Sequence, residues 1–211
     1  MIFGFILLIG ADVIDSYKGT PWGNRPQAIP GKIQCELYDI GGEGIAYHDL
    51  DSVNNGSGRL NPANGNYFNE FRMNEGVDIS YTKSNATDDN PYNDVAPQLN
   101  QLYVGWTMPG EWIKYTVDVK ETAVYVIGLM YTSNGNGGLE IVAENNTSTG
   151  IMHVVSTHKV NDTVAWRQWH HWNKMDSIGN LKLEKGLQVL TLKTVENGNM
   201  NYDYLEFKVV K

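Results

Sequence analysis

Residues 111–119 read Glu-Trp-Ile-Lys-Tyr-Thr-Val-Asp-Val, so Ile113, Tyr115, Val117 and Val119 alternate with Trp112, Lys114, Thr116 and Asp118. Neighbouring side chains of an extended strand point to opposite faces, and a period of two marks a strand with one buried face. The pattern opens at Ile33, Cys35 and Leu37, set against Gln34, Glu36 and Tyr38. It recurs in 138–143, 150–155, 187–195 and 202–210, while 123–131 is apolar on both faces and suits a central strand. Turn-forming clusters rich in Gly and Asn at 133–138, 144–149 and 196–199 separate these runs. No stretch carries a long helical stripe. The expected fold is therefore all-β, an antiparallel β-sandwich of jelly-roll type; a barrel of the same length stays open.

Two long polar loops interrupt the plan, 41–69 and 83–98, the second carrying Asp88, Asp89, Asn90 and Asp94. Loops of this length in a compact domain are usually functional or disordered. They read first as solvated surface, and their acid and amide content also suits a cation or a polyol. Residues 1–11 are apolar and uncharged, too short to span a bilayer. They resemble the core of a secretory signal peptide without its basic start, with a buried first strand as the alternative. Residues 12–28 read as a linker, broken by Gly19, Pro21, Gly23 and Pro26, which leaves 29–211 as the domain. The expected location is secreted, periplasmic or at the cell surface.

A net charge of −8 with no basic stripe repels a phosphate backbone, so nucleic acid is not an expected partner. One cysteine, Cys35, excludes an internal disulfide and sits in an alternating stretch as a core thiol. No zinc-type Cys/His spacing occurs. The 12 tyrosines and six tryptophans outnumber the five phenylalanines, a bias toward rings with a polar edge. Trp166, Trp169 and Trp172 fall within seven residues, beside Arg167, Gln168, His170 and His171. A flat ring next to hydrogen-bonding groups is the chemistry that holds a sugar. If this segment is a strand, Trp166 and Trp172 share a face and Trp169 points away. The adjacent histidines read as an exposed strand end, and as possible pH-sensitive ligand contacts.

On the closing strand, Asn201, Asp203, Leu205, Phe207 and Val209 share a face, which would bury a carboxylate. Gln34 and Glu36 share a face of the opening strand. If the two strands are neighbours, Gln34, Glu36 and Asp203 converge as oxygen donors suited to a hard cation such as Ca²⁺.

Several segments, in order, resemble the family 6 carbohydrate-binding modules. Ile29-Pro30-Gly31-Lys32-Ile33-Gln34-Cys35-Glu36-Leu37-Tyr38-Asp39 is similar to the opening strand, and Gly41-Gly42-Glu43-Gly44-Ile45-Ala46-Tyr47-His48-Asp49 to the segment after it. Glu75-Gly76-Val77-Asp78-Ile79, Val104-Gly105-Trp106 and Gly110-Glu111-Trp112-Ile113-Lys114-Tyr115 follow. Trp166-Arg167-Gln168-Trp169 resembles a Gly-Trp-Gln-x-Trp segment, and Asn201-Tyr202-Asp203-Tyr204-Leu205-Glu206-Phe207 the closing strand.

The resemblance implies a non-catalytic, lectin-like sandwich that binds a plant- or algal-type polysaccharide or oligosaccharide, with an associated glycoside hydrolase as a further partner. It implies a structural calcium held by Gln34, Glu36, the Arg72 backbone carbonyl and Asp203. It places a sugar between Trp106 and Trp166, with Asn197 or Asn199 as hydrogen-bonding amide and Glu43 as an added polar contact. It also makes Trp169 the core residue of the cluster and leaves Trp172 unassigned. The chain departs from the family pattern at Val164-Ala165, where two glycines are usual, and at His170-His171-Trp172, which looks like an insertion. Two other functions stay open: a small sandwich glycosidase or lyase using a pair among Glu43, Asp49, Asp78 and Glu111, and an adhesion or spacer domain with a degenerate cleft.

Overall fold

The computed structural model describes residues 16–84 and 86–210. The apolar segment 1–11 lies outside the described residues. Strands β1 (Gln27–Ile29), β3 (Tyr47–His48), β8 (Trp112–Val119), β10 (Gly137–Ala143), β11 (Met152–Val154) and β13 (Gly186–Glu196) form one six-stranded sheet. Its order is β1-β8-β13-β10-β11, and β3 also pairs with β8. The other six-stranded sheet contains β2 (Gly31–Gln34), β6 (Ile79–Tyr81), β7 (Leu102–Val104), β9 (Ala123–Ser133), β12 (Asn173–Leu183) and β14 (Met200–Val209). Its order is β12-β9-β14-β7-β6, with β2 beside β14. A two-residue pair, β4 (Ser57–Gly58) and β5 (Asn61–Pro62), lies within the first long loop.

The inward faces of both sheets close on one core. Ile113, Tyr115, Leu190 and Leu192 from the first sheet are buried with Ile127, Leu129, Leu205 and Phe207 from the second. Two separate sheets packed on one core make a sandwich and settle the choice against a barrel. The alternation in 111–119 is realised: Ile113, Tyr115, Val117 and Val119 are all buried. Cys35 is fully buried, and burial pushes its thiol well above the ordinary range, in keeping with an inert core residue.

Three expectations change. The supposed linker 12–28 is part of the sandwich wherever it is described. Thr20 and Ile40 exchange backbone hydrogen bonds of 2.8 and 2.7 Å, Trp22 packs 5.0 Å from Phe71, and β1 runs parallel to β8. Pro26 and Pro30 bracket a three-residue edge strand rather than an unstructured tether, the place where a strand tolerates proline. Second, the opening strand stops at Gln34, and a 3₁₀ turn over Cys35–Leu37 follows. The turn breaks the alternation, so Cys35 and Glu36 are both buried. Third, β12 was hidden in the sequence. Its pairing to β9 shifts register between Met175 and Gly179, where residues 176–178 stand against Gly128 alone and the bulge interrupts the period of two.

Candidate functional site

Loops from both sheets meet at one end of the sandwich, around Trp106. Gly198 presses against Thr107 and Met108, and the Asn199 N–H donates to the Thr107 carbonyl at 2.6 Å. These contacts join the 197–199 turn to the 105–111 loop. Trp106 has φ of 49°, in the left-handed region that few non-glycine residues occupy. Its backbone N–H donates to Asn201 Oδ1 at 3.1 Å. The ring lines an open cleft of about 520 Å³ with Leu50, Asp51, Asn55, Leu60, Asp78, Met108 and Glu111. Leu50, Leu60 and Met108 are exposed apolar side chains on its walls.

The carboxylates of this cleft are held by backbone donors. Glu111 Oε2 accepts from Met108 N–H at 2.7 Å, and Asp78 Oδ1 from Asn55 N–H at 2.5 Å. Asn55 Nδ2 donates to Asp51 Oδ2 at 2.9 Å. Burial pushes Asp78 up to about 6, with the Asp51 charge adding and Arg59 opposing. Burial likewise raises Glu111, and beside it Asp49 is pushed up to about 7 by burial and then by the Glu111 charge. A ring face next to fixed, acidic acceptors takes the apolar C–H face and the hydroxyl donors of a sugar.

Residues 166–172 are not a strand. Ala165–Arg167 is a 3₁₀ turn and β12 begins only at Asn173. Trp166 is 59 % exposed, Trp169 is half-buried and Trp172 is 0 % exposed. The core tryptophan is therefore Trp172, and the expectation for Trp169 is corrected. Trp172 packs on Tyr103 and Met130, and its Nε1–H donates to Asp88 Oδ1 at 2.8 Å. The histidines are not an exposed strand end either, for both are buried. His170 Nε2 lies 2.7 Å from Asp88 Oδ1, and His171 Nε2 lies 2.9 Å from Asp162 Oδ2. Asp162 also takes two bonds from Arg167, at 2.6 and 2.8 Å. Those guanidinium bonds hold the Asp162 carboxyl well below the usual carboxylate range. Each histidine thus clasps a buried aspartate from a different loop, and Trp166 projects from the turn between them.

The second long loop is stitched down by the same contacts. Asp88 is 1 % exposed and also accepts from Lys83 N–H at 2.7 Å. Asp94 and Val95 donate backbone N–H groups to the Trp172 carbonyl at 2.9 and 3.1 Å. Sequence reasoning placed Asp88 in solvent; the polar His-His-Trp run was the available sign that a buried acceptor had to exist.

The remaining proposed sugar contacts divide. Asn197 and Asn199 are both exposed on the turn beside Trp106, though Asn197 Nδ2 already donates to the Asn136 carbonyl at 2.7 Å. Glu43 is not among the residues lining the Trp106 cleft. It pairs with His48, Oε1 to Nδ1 at 2.5 Å, and its Oε2 accepts from Asp49 N–H at 3.1 Å. Trp166 is likewise absent from that lining; its ring lies 6.5 Å from that of His170, which does not line the cleft either.

The oxygen donors of the opening and closing strands do converge. β2 pairs with β14, setting Gln34 opposite Tyr204. Asp203 is the extra residue where the register of β14 against β9 shifts, and it is 2 % exposed. Gln101 Nε2 donates to Gln34 Oε1 at 3.3 Å and Glu36 Oε1 at 3.2 Å. Glu36 Oε2 and Asp203 Oδ1 are buried with no partner. Burial pushes Glu36 up to about 8 and Asp203 up to about 7, and the Asp203 charge raises Glu36 further. Two orphaned carboxylate oxygens with two amides are a donor set that fits a hard cation. The resemblance also implies Arg72 as a ligand. Its carbonyl accepts from Glu75 N–H at 3.1 Å and Asn54 Nδ2 at 3.5 Å, while its guanidinium stacks 3.4 Å over Tyr38. Gln101 was missed because its sequence neighbourhood gives no sign of the site.

Comparison with known proteins agrees with this fold. The family "Carbohydrate binding module (family 6)" matches residues 70–209. A family 6 module from Clostridium stercorarium, solved in complex with cellobiose, superimposes with a TM-score of 0.52 at 12 % identity, covering 88 % of this chain and 98 % of that one. A second family 6 module, studied for its binding sub-sites, gives 0.51 at 13 % identity with the same coverage, 88 % and 98 %. No curated protein sequence matches the chain.

Proposed function

The chain belongs to the family 6 carbohydrate-binding modules, and from that premise we propose that it binds a neutral plant- or algal-type glycan, of β-glucan character, in the Trp106 cleft without transforming it. The observation that carries this reading is the 520 Å³ cleft that sets one indole beside Asp51, Asn55, Asp78 and Glu111. The carboxylates accept sugar hydroxyls and repel uronate or sulfated chains, as does the net charge of −8. Trp166 supplies a second ring for a longer oligosaccharide, and Asn199 an amide at the rim. The cellobiose complex of the C. stercorarium module supports a β-linked glucose ligand.

Calcium is part of the same proposal. Gln34, Glu36 and Asp203 would hold it, and Gln101, turned about its last torsion, would present its carbonyl oxygen in place of an N–H. The ion would neutralise two buried carboxylates and lock β2 to β14. A location outside the cytoplasm and an associated glycoside hydrolase fit such a module. Among the described residues no helix is long and apolar enough to cross a membrane.

A glycan array run with and without EDTA tests ligand and ion together. Expected are signals on neutral β-glucans, none on polyuronates, and weaker binding or a lower melting temperature after chelation. The raised acid Asp78 also suits hydrolysis. Release of reducing ends that Asp78→Asn or Glu111→Gln abolishes would replace the binding reading.

A further inference from the structure

His170 lies beside Trp166 and reaches Trp106 through Asn201. Its ring lies 6.5 Å from Trp166, its Nε2 2.7 Å from Asp88 Oδ1, and its Nδ1 2.9 Å from Asn201 Nδ2. Asn201 Oδ1 accepts the Trp106 backbone N–H at 3.1 Å, and Asn201 Nδ2 also donates to Thr132 Oγ1 at 2.8 Å. Polarity runs along this chain without freedom. A backbone N–H only donates, so the Asn201 atom that meets Trp106 is the carbonyl oxygen. The amide nitrogen then faces His170, so Nδ1 carries a lone pair and the ring proton sits on Nε2, donated to Asp88.

We propose that His170 is a positioning residue: a neutral, Nε2-protonated imidazole through which Asp88 of the 83–98 loop fixes Trp106 and Trp166 together. The proposal rests on the glycan-cleft reading above. A second proton, on Nδ1, sets one donor against another at Asn201. The amide then turns or withdraws, and Trp106 N–H loses its acceptor. Trp106, at φ 49°, is held in a conformation its own sterics disfavour and is released by that loss. The groups facing His170 are Asp88, Asn201 and the rings of Tyr103, Trp166, Trp169 and Trp172, with Lys83 behind Asp88. Burial keeps the Tyr103 hydroxyl neutral, which leaves the Asp88 charge favouring the second proton and the Asn201 amide opposing it.

The test uses the whole chain, cello-oligosaccharide as probe, and NMR. Long-range ¹H–¹⁵N correlation is expected to show His170 as the Nε2–H tautomer at neutral pH. Wild-type affinity should fall about tenfold between neutral and acid pH, the worth of one buried hydrogen bond. Asp88→Asn removes the charge that favours imidazolium, so the midpoint of that fall should move to lower pH. Asp49, Asp78 and Glu111 titrate in both proteins and cancel in the comparison. His170→Phe should shift the Trp106 amide resonance, and His170→Gln, which keeps one donor and one acceptor, should restore it. An Nδ1–H tautomer, an unmoved midpoint in Asp88→Asn, or an unshifted Trp106 amide in His170→Phe overturns the proposal. The tautomer and amide readouts need no glycan, so they decide it even if the wild type binds none.

Discussion

Trp166 and Trp172 stand six residues apart and do opposite things. Trp172 is 0 % exposed, with its indole N–H spent on Asp88. Trp172→Ala should cost about 3–5 kcal/mol, since it opens a cavity and strips a donor from a buried carboxylate. Trp166 is 59 % exposed, so Trp166→Ala should leave the denaturation midpoint unchanged and weaken oligosaccharide binding. Chemical denaturation and calorimetric titration of both variants separate the two roles; equal loss of stability in both would contradict them. The sequence could not divide this pair. The acceptor of the Trp172 indole N–H, Asp88, lies in a remote segment composed like a solvated loop. Trp106 came from the family resemblance, while the approach of Gln34 to the Asp203 region was legible because the opening and closing strands pair.

At the scale of elements, two buried aspartates hold loops that composition alone reads as loose. Asp162 ties the turn bearing Trp166 through Arg167 and His171. Asp162→Asn should cost about 3–5 kcal/mol, because it leaves the Arg167 guanidinium buried without its counter-charge. Hydrogen exchange should rise across 157–172 and stay slow in β9 and β14; uniform exchange changes would argue against a local clasp. The strands with clean alternation, such as β8, were readable. β12 was not, because its bulge breaks the period, and β1 was not, because three residues between prolines carry too little pattern.

The whole molecule is poised by its buried acids. Glu36, up to about 8, and Asp203, up to about 7, bind protons more tightly folded than unfolded. Folding therefore takes up protons, and stability from these groups is present below about pH 4 and lost as pH rises through 7 to 8. Calcium bound by Gln34, Glu36 and Asp203, as proposed, would replace those protons, so its stabilising effect should grow over the same range. Melting temperatures from pH 4 to 8 in EDTA should decline, and with calcium the decline should vanish. Curves that coincide at pH 8 would remove the ion from the account.

The central claim is that a neutral glycan lies on the Trp106 ring. Calorimetric titration of cellotetraose into the wild type and Trp106→Ala, each shown folded by circular dichroism, tests it most directly. A measurable wild-type affinity that falls about tenfold or more in Trp106→Ala is predicted, as for a ring at the centre of a binding surface. Equal affinity in the two proteins would contradict it.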